Sequence, residues 1–346
     1  MTATAETAVL GGGNWGTTLA IHLARSGRPC RLWFRDPSQA AAAQDSRRNV
    51  KYLPQWPFPQ GITATSDVAR ALDGAGHVVF AVPSAALRSV AEEVKALGVL
   101  PPLRVCATKG LAEPRAQRPS EVLAEVFGSF GKGWAVLAGP SLAEEVLSGL
   151  PTAVVAASSD PATAARVQAL FHGPTFRVYT SEDITGVELG VSIKNVLAIA
   201  AGLAQELGLG HNGYGALLTR GLAEIGRLGA AVGAKRETFL GLAGLGDLVT
   251  TCASPLSRNH QVGRRLARGL ALPDVLAGLG STAEGVSTTR SALMLAERAG
   301  VEMPITREVH AILFQGKDPR RALEDLMLRP PRTEGDGHSG EAGREP

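Results

Sequence analysis

Cysteine is scarce in this chain. There are three in 346 residues, Cys30, Cys106 and Cys252, and none forms a C-x-x-C pair. Isolated thiols speak against a disulfide framework and point to a reducing, cytoplasmic setting. No metal is expected. The net charge of +3 is too small to argue for a nucleic-acid partner and leaves room only for a local basic pocket. The N-terminus lacks the basic-then-apolar pattern of a secretory signal and runs straight into a strand-like segment. The longest apolar helical stretch, 187–207, contains Glu188, Lys194, Asn195 and Gln205. It reads as a buried core helix, with no stable membrane insertion. Beyond Arg329 apolar residues almost vanish among Pro, Gly, Glu and Arg, which predicts a disordered tail over 330–346.

Glycine is abundant, 41 residues, and three of them carry the most information. Gly11, Gly13 and Gly16 lie in Ala8-Val-Leu-Gly-Gly-Gly-Asn-Trp-Gly16, an apolar segment running into G-x-G-x-x-G. The helix-compatible Thr17-Thr-Leu-Ala-Ile-His-Leu-Ala24 follows. That strand-turn-helix context is what the dinucleotide fingerprint requires. The first glycine permits the tight turn, the second lets backbone approach a pyrophosphate, and the third seats the helix close to the strand. Free N–H groups at the helix start then face the anion. Cys30-Arg-Leu-Trp-Phe34 reads as a second strand ending at Arg35-Asp36. An acidic residue there suits the ribose hydroxyls of NAD, whereas an Arg accommodates the 2′-phosphate of NADP. Both cofactors stay open, and Asp36 reads equally as the N-cap of the next helix.

The first half alternates short apolar strands with helices. Strands are expected at Ala8–Leu10, Cys30–Phe34, His77–Val82, Arg104–Ala107, Ala135–Ala138, Thr152–Ala156 and Phe176–Tyr179, with helices at Ala85–Leu97, Ser120–Phe127 and Pro161–Phe171. This alternation predicts an α/β fold with a Rossmann-like, doubly wound parallel sheet. After about Thr180 the strand signals stop. Segments 187–207, Tyr214–Val232, Lys235–Leu242, Arg258–Arg268, Ser287–Ala299 and Pro304–Phe314 read as helices, an all-α C-terminal domain. The expected division is 1–185 for dinucleotide binding, 186–329 for a helical substrate domain, and 330–346 for the tail. A ligand belongs at the carboxyl ends of the strands, facing the helices.

Lysine is as scarce as cysteine is isolated: seven against 28 Arg. Arg keeps its proton in a protein, whereas Lys releases one when its surroundings lower its pKa. Lys109 ends a strand in Val105-Cys-Ala-Thr-Lys-Gly110, at the sheet edge where ligands bind; the alternative is an ordinary solvated lysine. Lys194 lies in mid-helix among Val191, Ile193, Val196, Leu197 and Ile199, with Asn195 beside it. Burying an unpaired ammonium costs several kcal/mol, so Lys194 faces a cleft, meets a partner, or snorkels to the helix edge. Gly241-Leu-Ala-Gly-Leu-Gly-Asp247 presents a carboxylate that could orient Lys194. Ser257-Arg-Asn259 adds a guanidinium fork suited to phosphate and a neutral donor.

On these residues the chain resembles the bacterial-type NAD(P)-dependent glycerol-3-phosphate dehydrogenases. The matching stretches are 11–20, Ala107-Thr-Lys-Gly-Leu111, Ala138-Gly-Pro-Ser141, Ile193-Lys-Asn-Val196, 241–247, Ser257-Arg-Asn259 and Thr282-Ala-Glu-Gly285. They keep the family's order across 8–329; Leu142 departs from it, standing where an aromatic is common. The resemblance implies that Lys194 is the catalytic acid/base, assisted by Lys109 and Asp247. It implies substrate contacts at Lys109, Gly139, Ser141, Lys194, Asn195, Asp247, Ser257, Arg258 and Asn259. Cofactor contacts are implied at Asn14, Trp15, Arg35, Lys109, Ala143, Arg258 and Glu284, beside Gly11, Gly13 and Gly16. The implied reaction is reversible NAD(P)H-dependent reduction of dihydroxyacetone phosphate to sn-glycerol 3-phosphate, feeding phospholipid synthesis. The partner is a small phosphorylated molecule, and a homodimer is the expected assembly. Two alternatives stand beside it: another dehydrogenase of this architecture, of 3-hydroxyacid or 6-phosphogluconate type, and a non-catalytic NAD(P)-binding sensor. The 241–247 and 257–259 segments argue against the first, and the Lys109/Lys194/Asp247 set against the second.

Overall fold

The computed structural model describes residues 6–334 apart from Leu256, 280–282 and Arg332. Ten strands are present among the described residues: β1 (Thr7–Leu10), β2 (Cys30–Trp33), β3 (Arg48–Asn49), β4 (Leu53–Pro57), β5 (Ile62–Thr65), β6 (His77–Phe80), β7 (Leu103–Cys106), β8 (Trp134–Ala138), β9 (Thr152–Ala157) and β10 (Phe176–Ser181). Eight of them form one sheet in the order β10-β9-β8-β7-β6-β1-β2-β5, and β3 and β4 pair separately as a hairpin. Helices α1 (Asn14–Arg25), α2 (Pro37–Ser46), α3 (Val68–Leu72), α4 (Ser84–Ala96), α5 (Pro119–Phe127), α6 (Ala143–Leu147) and α7 (Pro161–Phe171) connect the strands. Both sheet faces are covered. Val9 belongs to one apolar cluster and its neighbours Ala8 and Leu10 to another, which is why β1 reads as an unbroken apolar run.

The sheet is mostly parallel, but β9 runs antiparallel to β8 and carries the parallel β10 with it. The expected doubly wound parallel sheet is present, with β8–β9 as its antiparallel pair. A parallel return requires a crossover that spans the sheet. The five-residue α6 rises only about 7.5 Å, so the chain turns back at the same edge. That turn leaves 139–143 at the carboxyl ends of the strands.

From α8 (Ile184–Glu206) onward the chain is helical: α9 (Gly210–Ala231), α10 (Arg236–Leu240), a π-helical turn over Leu242–Gly246, α11 (Asp247–Ala253), α12 (Arg258–Ala267), α13 (Leu272–Ala277), α14 (Glu284–Arg298), α15 (Pro304–Gln315) and α16 (Pro319–Met327). The helix expected over Lys235–Leu242 ends at Leu240. There Gly241 adopts extended backbone, φ −91° and ψ −163°, and the π-turn begins. Helix α8 is long and apolar enough to cross a membrane by composition, yet its apolar stretch is wholly buried as the axis of this half. It is fastened to the sheet half by Glu188, which accepts from Ser120 N at 2.7 Å and from Ser120 Oγ at 2.5 Å. Of the expected tail, Arg332 and 335–346 lie outside the described residues.

Candidate active site

The fingerprint folds as its glycines dictate. Gly11 has φ +129°, and a Cβ there would stand 2.4 Å from the Ala81 carbonyl oxygen. A Cβ on Gly16 would stand 1.9 Å from the Gly11 carbonyl oxygen. A Cβ on Gly13 would meet no protein atom within 4 Å. Gly11 and Gly16 are therefore glycine for the fold, and Gly13 leaves its space to whatever enters the cavity. Strand order reverses between β1 and β6, the switch point at which open α/β sheets bind ligands.

A cavity of about 340 Å³ lies there, between the strand ends and α8. Gly13, Asn14 and Trp15 line it from the turn, Lys109, Ser141, Ala143 and Glu144 from the strand ends, and Lys194, Asn195, Asp247, Ser257, Arg258, Asn259 and Glu284 from the helices. Gly139 lies just behind, its carbonyl accepting from Lys109 Nζ at 3.2 Å. Gly11, Gly16 and Arg35 are not in the lining; Arg35 is exposed just past β2. Thr282 lies outside the described residues. Asn14 Oδ1 and Trp15 Nε1 are buried with no protein partner. Two unsatisfied polar atoms beside an open Gly13, at a helix N-terminus, fit a nucleotide cofactor.

The charged centre is compact. Lys194 is 5% exposed and Asp247 1%. Lys194 Nζ lies 2.6 Å from Asp247 Oδ1 and donates to Thr251 Oγ1 at 2.6 Å. Asp247 Oδ2 makes no hydrogen bond and lies 3.8 Å from Lys109 Nζ. Lys109 also donates to Ser141 Oγ at 3.2 Å and stands over the Trp15 ring. Burial pushes the Lys194 pKa down to about 8; the Asp247 charge opposes this and the Lys109 charge adds to it. Glu284 is pushed above the usual carboxylate range by burial, against the pull of Arg258, Lys109 and Lys194.

Local packing explains how distant segments meet. A Cβ on Gly190 would stand 2.3 Å from the Ala243 carbonyl oxygen, so only glycine there lets the π-turn rest on α8. One turn later along α8, Lys194 meets Asp247 at the head of α11. Asn259 is held from two sides: its Nδ2 donates to Asn195 Oδ1 at 3.0 Å, and its Oδ1 accepts from Gly285 N at 2.9 Å. One amide hydrogen remains for a ligand. Ser257 caps α12 by accepting from His260 N.

Some expected site residues take other roles, and further residues join the cavity. Asp36 is a helix cap: its Oδ1 accepts from Ser38 N and Oγ, and its Oδ2 from Gln39 Nε2. Thr251, in the run Thr250-Thr-Cys252 that continues the constellation from Asp247, lies on the same helix face as Asp247. Tyr52 and Leu53, from the β3–β4 hairpin, also line the cavity. No sequence signal marked that hairpin, whose two prolines argue against strand.

Comparison with known proteins gives two family matches along the chain. Residues 6–164 match the family described as NAD-dependent glycerol-3-phosphate dehydrogenase N-terminus, and 183–324 match its C-terminus. Among similar proteins, one from Thioalkalivibrio sulfidiphilus named glycerol-3-phosphate dehydrogenase (NAD(P)+) is 47% identical over 327 residues, covering 94% of this chain and 98% of that protein. A namesake from Methylobacillus flagellatus is 45% identical over 326 residues, with 94% and 98% covered. The crystal structure of glycerol-3-phosphate dehydrogenase from Coxiella burnetii superposes with a TM-score of 0.89 at 40% identity, covering 94% of this chain and 99% of that one. With both halves matched in order and relatives aligned over nearly their whole length, the chain belongs to the NAD-dependent glycerol-3-phosphate dehydrogenase family.

Proposed function

We propose that this protein reversibly reduces dihydroxyacetone phosphate to sn-glycerol 3-phosphate with NADH or NADPH. The observation that carries this is the buried Lys194–Asp247–Thr251 cluster beside Lys109, at the mouth of a glycine fingerprint. The bound nicotinamide supplies the hydride. Gly13, Asn14, Trp15, Ala143 and Glu284 would hold the cofactor, with Arg35 and Arg258 as further contacts. As the ketone carbon gains hydride, its oxygen gains charge, and Lys194 passes its Nζ proton to that oxygen. Lys194 is left neutral and takes a proton from water for the next turnover; in the oxidative direction its neutral form accepts the alcohol proton. Asp247 and Thr251 fix the direction of Nζ. Lys109, held by the Gly139 carbonyl and Ser141, adds positive potential at the developing oxyanion. The substrate phosphate sits at the N-terminus of α12, against Arg258, Asn259 and Asn195, so that its binding energy positions the ketone.

We further propose 1–185 as the dinucleotide domain, 186–329 as the substrate domain, a homodimer in the cytoplasm, and a role in supplying phospholipid synthesis. The direct test is oxidation of NAD(P)H, followed by absorbance, on adding dihydroxyacetone phosphate. Substrate-independent cofactor binding with no turnover would overturn the catalytic reading in favour of a sensor. For cofactor choice, the engagement of both Asp36 oxygens on α2 favours use of NADPH as well as NADH. Arg35→Ala should lose about 1.5–3 kcal/mol of efficiency with NADPH and much less with NADH. Equal losses would show that Arg35 does not read the 2′-phosphate.

A further inference from the structure

The β3–β4 hairpin pairs only with itself, with Arg48 opposite Pro57 and Asn49 opposite Leu53, yet Tyr52 and Leu53 form a wall of the cavity. The Asn49 side chain ties the hairpin's polar backbone to the fingerprint. Asn49, 2% exposed, donates from Nδ2 to the Gly12 carbonyl oxygen at 2.8 Å and to Thr17 Oγ1 at 2.8 Å. Its Oδ1 accepts from Tyr52 N at 3.2 Å. All the amide's principal capacities are used, and its orientation is fixed, because a carbonyl such as that of Gly12 accepts only.

We propose that Asn49 is a positioning residue for the cofactor. It holds the Gly12–Gly13 peptide in the orientation that pyrophosphate binding needs and sets the hairpin wall opposite. The physical link is peptide planarity. A trans peptide places the Gly12 C=O and the Gly13 N–H on opposite sides. Anchoring that carbonyl toward Asn49 therefore aims the Gly13 N–H away from it. Gly13 is the fingerprint residue whose Cβ direction is open. Thr17, in the first turns of α1, is the second anchor, so turn, helix start and hairpin are registered to one carboxamide. Without it, the part-buried Gly12 carbonyl loses the Asn49 donor and the peptide is free to reorient. Because NADH and NADPH share the pyrophosphate, the effect falls on both alike, unlike that of Arg35.

This inference rests on the cavity being a NAD(P) site, which wild-type binding of NADH and NADPH tests first. The decisive measurements are cofactor Kd by fluorescence titration and steady-state kinetics on the full-length chain. Asn49→Ala should raise Kd for both cofactors by about tenfold, the loss of about one buried hydrogen bond. At saturating cofactor it should leave KM for dihydroxyacetone phosphate and the pH profile unchanged. Asn49→Asp, which turns an acceptor toward the Gly12 carbonyl, should bind more weakly still. Thr17→Ser keeps the anchoring oxygen and should bind as wild type, whereas Thr17→Val should weaken both cofactors. If Asn49→Ala does not fold, the Thr17 pair decides. A lowered melting temperature with cofactor Kd unchanged, a loss confined to NADPH, or equal Kd for Thr17→Ser and Thr17→Val would each overturn the proposal.

Discussion

Replacing Asp247 by Asn should move the alkaline limb of the reduction profile to lower pH by about two to four units. In the folded protein Lys194 Nζ lies 2.6 Å from Asp247 Oδ1, and the pair is almost wholly buried. Burial lowers the lysine pKa, the Asp247 charge raises it, and Lys109 lowers it, leaving it at about 8. Asn preserves the shape and an acceptor oxygen but removes the charge. At an effective dielectric constant of about 20, charges at that separation attract by about 6 kcal/mol. Deleting one member of a buried pair typically costs about 3–5 kcal/mol. The lysine escapes that cost by releasing its proton, and each 1.36 kcal/mol (about one pKa unit) weakens its hold on it. Lys194 should therefore titrate well below its wild-type value in the variant. The assay is kcat/KM for dihydroxyacetone phosphate against pH at saturating NADPH, which reports groups on the cofactor-loaded enzyme before substrate binds. Wild type should be flat below about 8 and fall above it, because reduction needs the protonated amine. The variant should begin to fall at markedly lower pH than wild type and recover toward acid pH. The oxidative direction, which needs the neutral amine, should suffer less at pH 7. A uniform loss with the limb unmoved would refute the reasoning and reduce Asp247 to a structural support.

Lys194→Arg should fold and bind cofactor but lose about 10²–10⁴-fold in turnover, since a guanidinium keeps its proton; near-normal turnover would make Lys194 an electrostatic clamp. Gly13→Ala should leave the melting temperature almost unchanged, because its Cβ meets no protein atom, while cofactor Kd rises by about tenfold or more. Gly11→Ala, at φ +129° and 2.4 Å from the Ala81 carbonyl oxygen, should instead damage folding itself, which a thermal melt would separate from a binding defect. Glu224 caps α15 by accepting from Ile305 N and Thr306 N, and burial raises its pKa from 4.5 to about 7. The folded chain then binds the extra proton across that interval. This contribution to stability is present below the ordinary carboxyl pKa and lost as pH rises through about 7. Glu224→Gln should therefore flatten the decline of melting temperature between pH 5 and 8, and an unaltered slope would assign that decline elsewhere.

How much of this was legible in the chain varies with the range of the interactions involved. The fingerprint was, because its glycines answer to contacts within one strand-turn-helix unit. The helical second half was, because its apolar periodicity runs for many turns. Lys194 stood out because an ammonium amid Val191, Ile193 and Val196 demands a partner. The hairpin was not legible: Leu53-Pro-Gln-Trp-Pro57 has the composition of a loop, and only pairing within an isolated hairpin admits its prolines. Neither was the reversal of β9, whose apolar sequence would suit either direction and whose orientation follows from the shortness of α6.

By itself, then, the sequence determined the local units: a β-turn-α nucleotide motif, alternating strands and helices, and residue types suited to proton transfer and phosphate binding. These follow from backbone sterics and from hydrophobic periodicity, which act over a few residues. Only the tertiary structure decided which partners those residues meet. It set Asp247 and Thr251 on Lys194 through a π-turn resting on Gly190, and it placed Asn49 on the fingerprint turn. Each of these depends on backbones approaching from segments tens of residues apart, and the pKa of a buried amine depends on that whole surrounding rather than on its neighbours in the chain.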